Sequence, residues 1–153
     1  MNMPTPRIVA AAGCLLLAAC AGQPSVESNG IRETERFEGT LPCNNCQGIN
    51  TDLTLKRDPG TGAPAGFYLH ETRIDAPGGE RVNTSWGQWS LNKHGNGLQQ
   101  KLYILQPEVG AQRLYQSSAD GELQPLDNRG NPISNGDGAP VVLNRLTPNP
   151  SMP

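Results

Sequence analysis

The sequence predicts an all-β fold, a small antiparallel meander that closes into a β-barrel. Three observations lead to this prediction. The 18 Gly and 14 Pro residues fall mostly in clusters, and these clusters divide the chain into short segments. Within the segments, apolar and polar residues alternate with a period of two, as they do in half-buried strands. After the first 20 residues, no segment sustains the periodicity of an amphipathic helix.

The first 19 residues are predicted to be a lipoprotein signal peptide. A single cation, Arg7, precedes an apolar run over residues 8–17, which is too short to span a bilayer. The run leads into the tetrapeptide Leu-Ala-Ala-Cys at positions 17–20, which resembles a bacterial lipobox, where the cysteine takes a diacylglycerol. Cleavage at an ordinary secretory site is the alternative, but it leaves the cysteine unexplained. Cys20 is therefore the predicted lipidation site and membrane anchor.

Residues 20–35 are predicted to be the lipidated cysteine and a flexible tether, because residues 21–30 offer almost nothing to bury. Fully extended, about ten such residues reach at most ~35 Å. The folded body is predicted over residues 36–147, followed by a short tail over residues 148–153. About eight strands are expected in the body, near residues 36–41, 52–56, 66–74, 81–91, 98–105, 113–117, 122–126 and 141–146.

Alternation also predicts which side chains face the core. The expected core positions include Phe37, Leu41, Leu53, Leu55, Leu98, Leu102 and Ile104. Trp86 and Trp89 are three residues apart and so face opposite sides of a strand, one in the core and the other near a rim. Gly87 between them suits a strand that bends or closely approaches its neighbour. Eight short strands can form a sandwich or a barrel, and we favour the barrel because closure removes exposed sheet edges.

Composition and motifs exclude several functional classes. The formal net charge of the full sequence is -2. The predicted leader contains one cation, Arg7, and no acidic residue, so its removal changes the net charge to -3. Such a weakly acidic balance argues against a nucleic-acid partner. The sequence contains no G-x-S-x-G, H-E-x-x-H or P-loop pattern. We therefore expect the protein not to be an enzyme.

Cys43 and Cys46 form the candidate functional pair. Of the four cysteines, Cys14 leaves with the signal peptide and Cys20 is lipidated, so two thiols remain in an oxidising periplasm. They can form a local disulfide, bind a soft ion such as Cu(I) through thiolates, or catalyse thioredoxin-like redox chemistry. Catalysis is disfavoured, because thioredoxin-like proteins have the C-x-x-C motif at the start of a helix, whereas a strand is predicted to follow it here. The disulfide and the copper site both stay open.

Three segments resemble one known family. The pattern G-x-L-P-C-x-x-C-x-G-I over residues 39–49, the Gly-Gln-Trp at 87–89 and the Leu-Asp turn over 126–133 are similar to the NlpE N-terminal domain family. The likeness runs from about Arg36 to Leu146. It implies a lipocalin-like β-barrel with a role in copper tolerance or in signalling redox, trafficking or surface stress to an envelope sensor kinase. Larger members carry a second, C-terminal domain, and functions that depend on that domain are not expected of this chain.

These observations predict a non-enzymatic lipoprotein of the bacterial envelope with Cys43 and Cys46 as its chemically active feature. In the light of the resemblance, Ala21 after the lipidated Cys20 is compatible with an outer-membrane lipoprotein that faces the periplasm. No cofactor other than Cu(I) at the cysteine pair is expected. The alternatives are a lipocalin-like carrier of a small apolar ligand and a partner-binding module that acts through exposed loops.

Overall fold

The computed structural model describes residues 34–93 and 101–146. The predicted signal peptide, Cys20, most of the tether and the C-terminal tail lie outside these residues. Within the described ranges, no helix has the length and apolar character needed to cross a bilayer. The strands are β1 (Thr34–Leu41), β2 (Gly48–Arg57), β3 (Pro64–Ile74), β4 (Arg81–Lys93), β5 (Lys101–Pro107), β6 (Arg113–Ser117), β7 (Leu123–Leu126) and β8 (Asn144–Leu146).

The strands form one antiparallel sheet in the order β7-β6-β5-β4-β3-β2-β1-β8. From β1 to β7 each strand pairs with the next along the chain, and β8 returns to pair with the free edge of β1. Leu143, immediately before β8, exchanges two backbone hydrogen bonds of 3.0 and 2.7 Å with Leu123 at the start of β7. This bridge joins the two edges of the sheet into a nearly closed barrel. The prediction of an all-β, lipocalin-like meander is thus confirmed.

The barrel interior is filled by side chains that alternate along the strands. The buried cluster consists of Phe37, Leu41, Leu53, Leu55, Phe67, Leu69, Trp89, Tyr103, Leu105, Tyr115, Leu123, Val141 and Leu143. The first two strands follow the predicted pattern, with their apolar side chains in phase and directed inward. Burial of the Tyr115 side chain raises the pKa of its hydroxyl above the usual range. A packed interior of this kind disfavours a carrier for an apolar ligand.

The fifth strand differs from its prediction. It begins at Lys101, and Leu98 lies outside the described residues. Tyr103 and Leu105 point into the barrel, whereas Leu102 and Ile104 are half-buried on the outer face, so placing these two in the core was wrong. The register of β5 against β4 explains the difference: Leu105 pairs with Trp89, whose ring stacks on that of Tyr103 with centroids 5.6 Å apart. Four consecutive apolar residues made the two faces indistinguishable by alternation.

The two tryptophans occupy opposite faces of β4, as predicted. Trp89 is 4% exposed and Trp86 is 58% exposed. Trp89 Nε1 donates a 2.8 Å hydrogen bond to the carbonyl oxygen of Lys56, which fixes the indole against β2. Trp86 stands beside the exposed Tyr68 on the outer surface.

This arrangement gives the two tryptophans different fluorescence. We expect Trp86→Phe, which leaves Trp89, to emit at shorter wavelength and to resist quenching by acrylamide. Trp89→Phe, which leaves Trp86, should emit at longer wavelength and be quenched readily, because its indole contacts water. Steady-state emission and acrylamide titration of the two variants measure this difference, and equal quenching would contradict the orientation of β4.

A charged cluster lies at the end of the barrel where β1 begins. The Glu35 carboxylate is 9% exposed and accepts from two arginines, Arg57 at 3.3 Å and Arg145 at the other carboxylate oxygen. The Arg57 guanidinium also stacks over the Trp89 ring, 4.6 Å from its centroid. Burial and the nearby negative charge of Glu35 raise the pKa of Tyr103. Glu35 therefore joins β2 and β8 through ionic contacts inside the barrel.

Candidate functional site at the Cys43–Cys46 loop

The cysteine pair lies in the connection between β1 and β2. The two strands stay paired up to Leu41 and Ile49, so the intervening residues form a short loop at the end of the barrel opposite Thr34. Gln47 donates its backbone N–H to the carbonyl oxygen of Ile74 over 3.0 Å, which ties the loop to the end of β3. At Gly48 a Cβ would lie 2.6 Å from the Thr40 methyl group, so a side chain there would push the loop away from β1. The loop is therefore held by its neighbours on both sides.

Cys43 and Cys46 form a disulfide, with their Cα atoms 5.3 Å apart. Both cysteines are half-buried, while Pro42, Asn44 and Asn45 around them are exposed. A molecule that approaches this end of the barrel can therefore reach the disulfide. This accessibility distinguishes the pair from a disulfide sealed inside a core.

Arg73 of β3 is the charged neighbour of the disulfide. Its Nη2 lies 3.5 Å from Cys43 Sγ and donates a 2.6 Å hydrogen bond to Asn45 Oδ1. Arg73 was not among the site residues predicted from the sequence. Alternation along β3 could have identified it, because Arg73 lies on the same inward face of the strand as Phe67 and Leu69.

A buried carboxylate lies two residues from Arg73 on the same face. Glu71 is 7% exposed. Its Oε2 accepts from Asn83 Nδ2 at 3.1 Å and lies 3.3 Å from Arg113 Nη2. These contacts satisfy Glu71 without Arg73. The Arg73 charge is thus left to act on the cysteine loop.

Within the part of the chain that the structure describes, no further metal ligands gather around the pair. In residues 34–93 and 101–146, no group of three or more His, Cys, Asp or Glu side chains is arranged to hold a metal ion. The imidazole of His70 lies on the outer face of the sheet, with Nδ1 3.3 Å from Thr84 Oγ1. His94 lies outside the described residues.

The fold and the cysteine loop agree with a comparison to known families. The profile of the NlpE N-terminal domain matches residues 37–136, about two thirds of the chain. The chain belongs to the NlpE N-terminal domain family. The matched residues include β1 from Phe37 onward, β2 to β7 and the whole cysteine loop.

Individual relatives include Lipoprotein NlpE of Escherichia coli (strain K12), which is 31% identical over 99 residues. That match covers 65% of this chain and 36% of the relative, so the chain spans about a third of the relative's length. A crystal structure of the Cpx pathway activator NlpE from Escherichia coli is similar with a TM-score of 0.48 and 27% identity, covering 65% of this chain and 45% of that one. A structure of a putative lipoprotein from Shewanella oneidensis has a TM-score of 0.47 and 23% identity, covering 79% of this chain and 95% of that one.

Proposed function

We propose that this protein is an envelope lipoprotein that is anchored through Cys20 and activates a Cpx-type stress pathway in response to the state of Cys43 and Cys46. The descriptions of NlpE from Escherichia coli support the proposal, because they name it a lipoprotein and a Cpx pathway activator. The partner in such a pathway would be an envelope sensor kinase. Membership of the NlpE N-terminal domain family makes this function the best supported one.

The observation that carries the proposal is the position of the disulfide. The Cys43–Cys46 loop lies at one end of the barrel and Thr34, where the tether would enter, lies at the other. A barrel anchored in the outer membrane through Cys20 would therefore present the disulfide to the periplasm, away from its own lipid surface. Reductants, metal ions and partner proteins of the periplasm would meet the molecule on that side.

The proposal is tested in Escherichia coli cells that lack their own NlpE and carry a Cpx-dependent reporter. We expect production of this protein to raise reporter output several-fold, and the double variant Cys43→Ser, Cys46→Ser to lose most of that response. Membrane fractionation must show equal amounts of the two proteins. A response of equal size from the double variant would overturn the role of the cysteine pair.

A second candidate function is Cu(I) binding by the reduced pair, which would account for a role in copper tolerance. The two cysteine sulfur atoms are suitable ligands, because Cu(I) prefers thiolates and two thiolates at this spacing can form a low-coordinate site. Two thiolates around one Cu(I) leave a net negative charge, and the Arg73 guanidinium beside Cys43 would offset it. Reduction of the disulfide must come first.

Copper binding has a direct measurement. We expect the reduced protein to withdraw Cu(I) from a chromogenic chelator with one equivalent bound, and the double variant Cys43→Ser, Cys46→Ser to withdraw far less. His70→Ala serves as the matched control, since His70 lies on the outer face of the sheet and should leave binding unchanged. Equal affinities of the reduced protein and the double variant for Cu(I) would contradict copper binding by the cysteine pair.

A further inference from the structure

Arg73 differs from the other arginines that line the barrel. Arg57 and Arg145 both reach Glu35, and Arg113 reaches Glu71. Within residues 34–93 and 101–146, Arg73 forms no ion pair with a carboxylate. Its Nε, like that of Arg145, is buried without a hydrogen-bond partner. A half-buried cation without an opposite charge loses solvation free energy, and this loss is offset only where a nearby group that carries negative charge interacts with the cation. The Arg73 guanidinium donates a 2.6 Å hydrogen bond to Asn45 Oδ1 and lies 3.5 Å from Cys43 Sγ.

The second sulfur has the opposite electrostatic surroundings. Cys46 Sγ lies 3.3 Å from the carbonyl oxygen of Gly48, which carries partial negative charge. Cys43 Sγ also lies 3.7 Å from an oxygen, Asn45 Oδ1, but that oxygen accepts the 2.6 Å hydrogen bond from Arg73. Negative charge on Cys43 is therefore stabilised by Arg73, whereas negative charge on Cys46 is disfavoured. Both cysteines are half-buried, and neither is sealed in the core. The Arg73 guanidinium beside Cys43 is the feature that distinguishes the two sulfur atoms.

This asymmetry decides the direction of thiol–disulfide exchange. A thiolate attacks one sulfur of a disulfide, and the other sulfur leaves with the bonding electron pair, faster when its thiolate is the more stable one. We propose that an incoming thiol attacks Cys46 and that Cys43 leaves as a thiolate beside Arg73. Arg73 is then a positioning residue that sets which sulfur joins the partner. The inference rests on the proposed function, in which the pair responds to reductants.

The reaction balances with a thiol reductant as its second component. The reductant thiol loses its proton to solvent, its sulfur bonds to Cys46 Sγ, and the Cys43–Cys46 bond breaks. A second reductant thiolate then attacks the reductant's sulfur in the mixed disulfide and releases Cys46 as a thiolate, which takes a proton from solvent. The reductant ends as its own disulfide, and the protein gains two electrons.

Trapping the intermediate tests the proposal. The full-length lipoprotein in detergent is treated with limiting reduced glutathione, quenched with acid, alkylated with N-ethylmaleimide and digested for peptide mass spectrometry. We expect glutathione on Cys46 and N-ethylmaleimide on Cys43, in preference to the reverse by about tenfold. Glutathione found equally on both cysteines, or mainly on Cys43, would overturn the proposal.

Three variants separate the charge of Arg73 from a purely structural role. Arg73→Gln should abolish the preference and slow reduction several-fold, while Arg73→Lys, which keeps the charge, should restore both. Arg81→Gln is the matched control, because Arg81 lies opposite Arg73 in the register of β3 and β4 and is exposed. A preference that survives in Arg73→Gln, or is lost equally in Arg81→Gln, contradicts the assignment.

The same experiment distinguishes failure of the inference from failure of the proposed function. If the disulfide is reduced but the intermediate forms on Cys43, only the inferred direction is wrong. If glutathione neither forms a mixed disulfide nor reduces the native protein at any concentration, a redox response of the pair is excluded as well. The barrel of each variant is checked by the acrylamide protection of Trp89.

Discussion

Replacing Glu35 by glutamine is expected to lower the free energy of unfolding by about 3 kcal/mol, because Arg57 and Arg145 then lose their shared counter-charge. The Glu35 carboxylate is 9% exposed, so water replaces the lost interaction poorly. The change preserves side-chain size, removes the negative charge and replaces one of the two acceptor oxygens by an NH2 donor. Urea unfolding followed by tryptophan fluorescence measures the effect, and the loss should appear in the midpoint with little change in slope.

Glu38→Gln provides the matched control for Glu35→Gln. Glu38 belongs to the same strand but points outward, with its side chain 52% exposed and 3.7 Å from Arg36. Removing its charge should change the free energy of unfolding by less than about 0.5 kcal/mol, because water screens an exposed pair. Equal effects of the two substitutions would show that the interior position of Glu35 contributes nothing.

Gly87→Ala is expected to destabilise the barrel by about 3 kcal/mol or more, because the added methyl group has no space. A Cβ at this position would lie 2.1 Å from the carbonyl oxygen of Gln106 and 2.9 Å from Pro107 Cα. Both atoms belong to the backbone of β5, so relief requires β4 and β5 to separate. Thermal unfolding monitored by circular dichroism should show a much lower midpoint.

Gly66→Ala is the matched control for this substitution. Gly66 lies on β3 opposite Gln88, the residue after Gly87, and a Cβ there would lie 3.6 Å from the Gly87 carbonyl oxygen, an ordinary contact. We expect its midpoint to stay close to that of the unchanged protein. A similar loss in both variants would mean that glycine is needed for backbone freedom in these strands and that close approach is not the cause.

The close approach at Gly87 was predicted from sequence, whereas the inward face of β5 was not. A glycine inside a strand flanked by two tryptophans has few explanations, and a close neighbour is one of them. On β5, by contrast, four consecutive residues are apolar: Leu102, Tyr103, Ile104 and Leu105. Alternation cannot indicate the inward face of a strand when the side chains on its two faces are equally hydrophobic. Stacking of Tyr103 on Trp89 selects the face, and that contact joins two strands.

Local alternation, turn residues and a compact motif were sufficient to predict the all-β class, the family and the cysteine pair of the body. The residues that surround this pair, by contrast, follow from the pairing of distant strands. Arg73 is 30 residues from Cys43 along the chain, and it reaches the sulfur because the register of β2 and β3 places it opposite Ile49. Glu35 and Arg145, 110 residues apart, meet for the same reason when β8 closes the barrel. Contacts of this kind depend on strand pairing across the whole sheet, which local patterns do not encode.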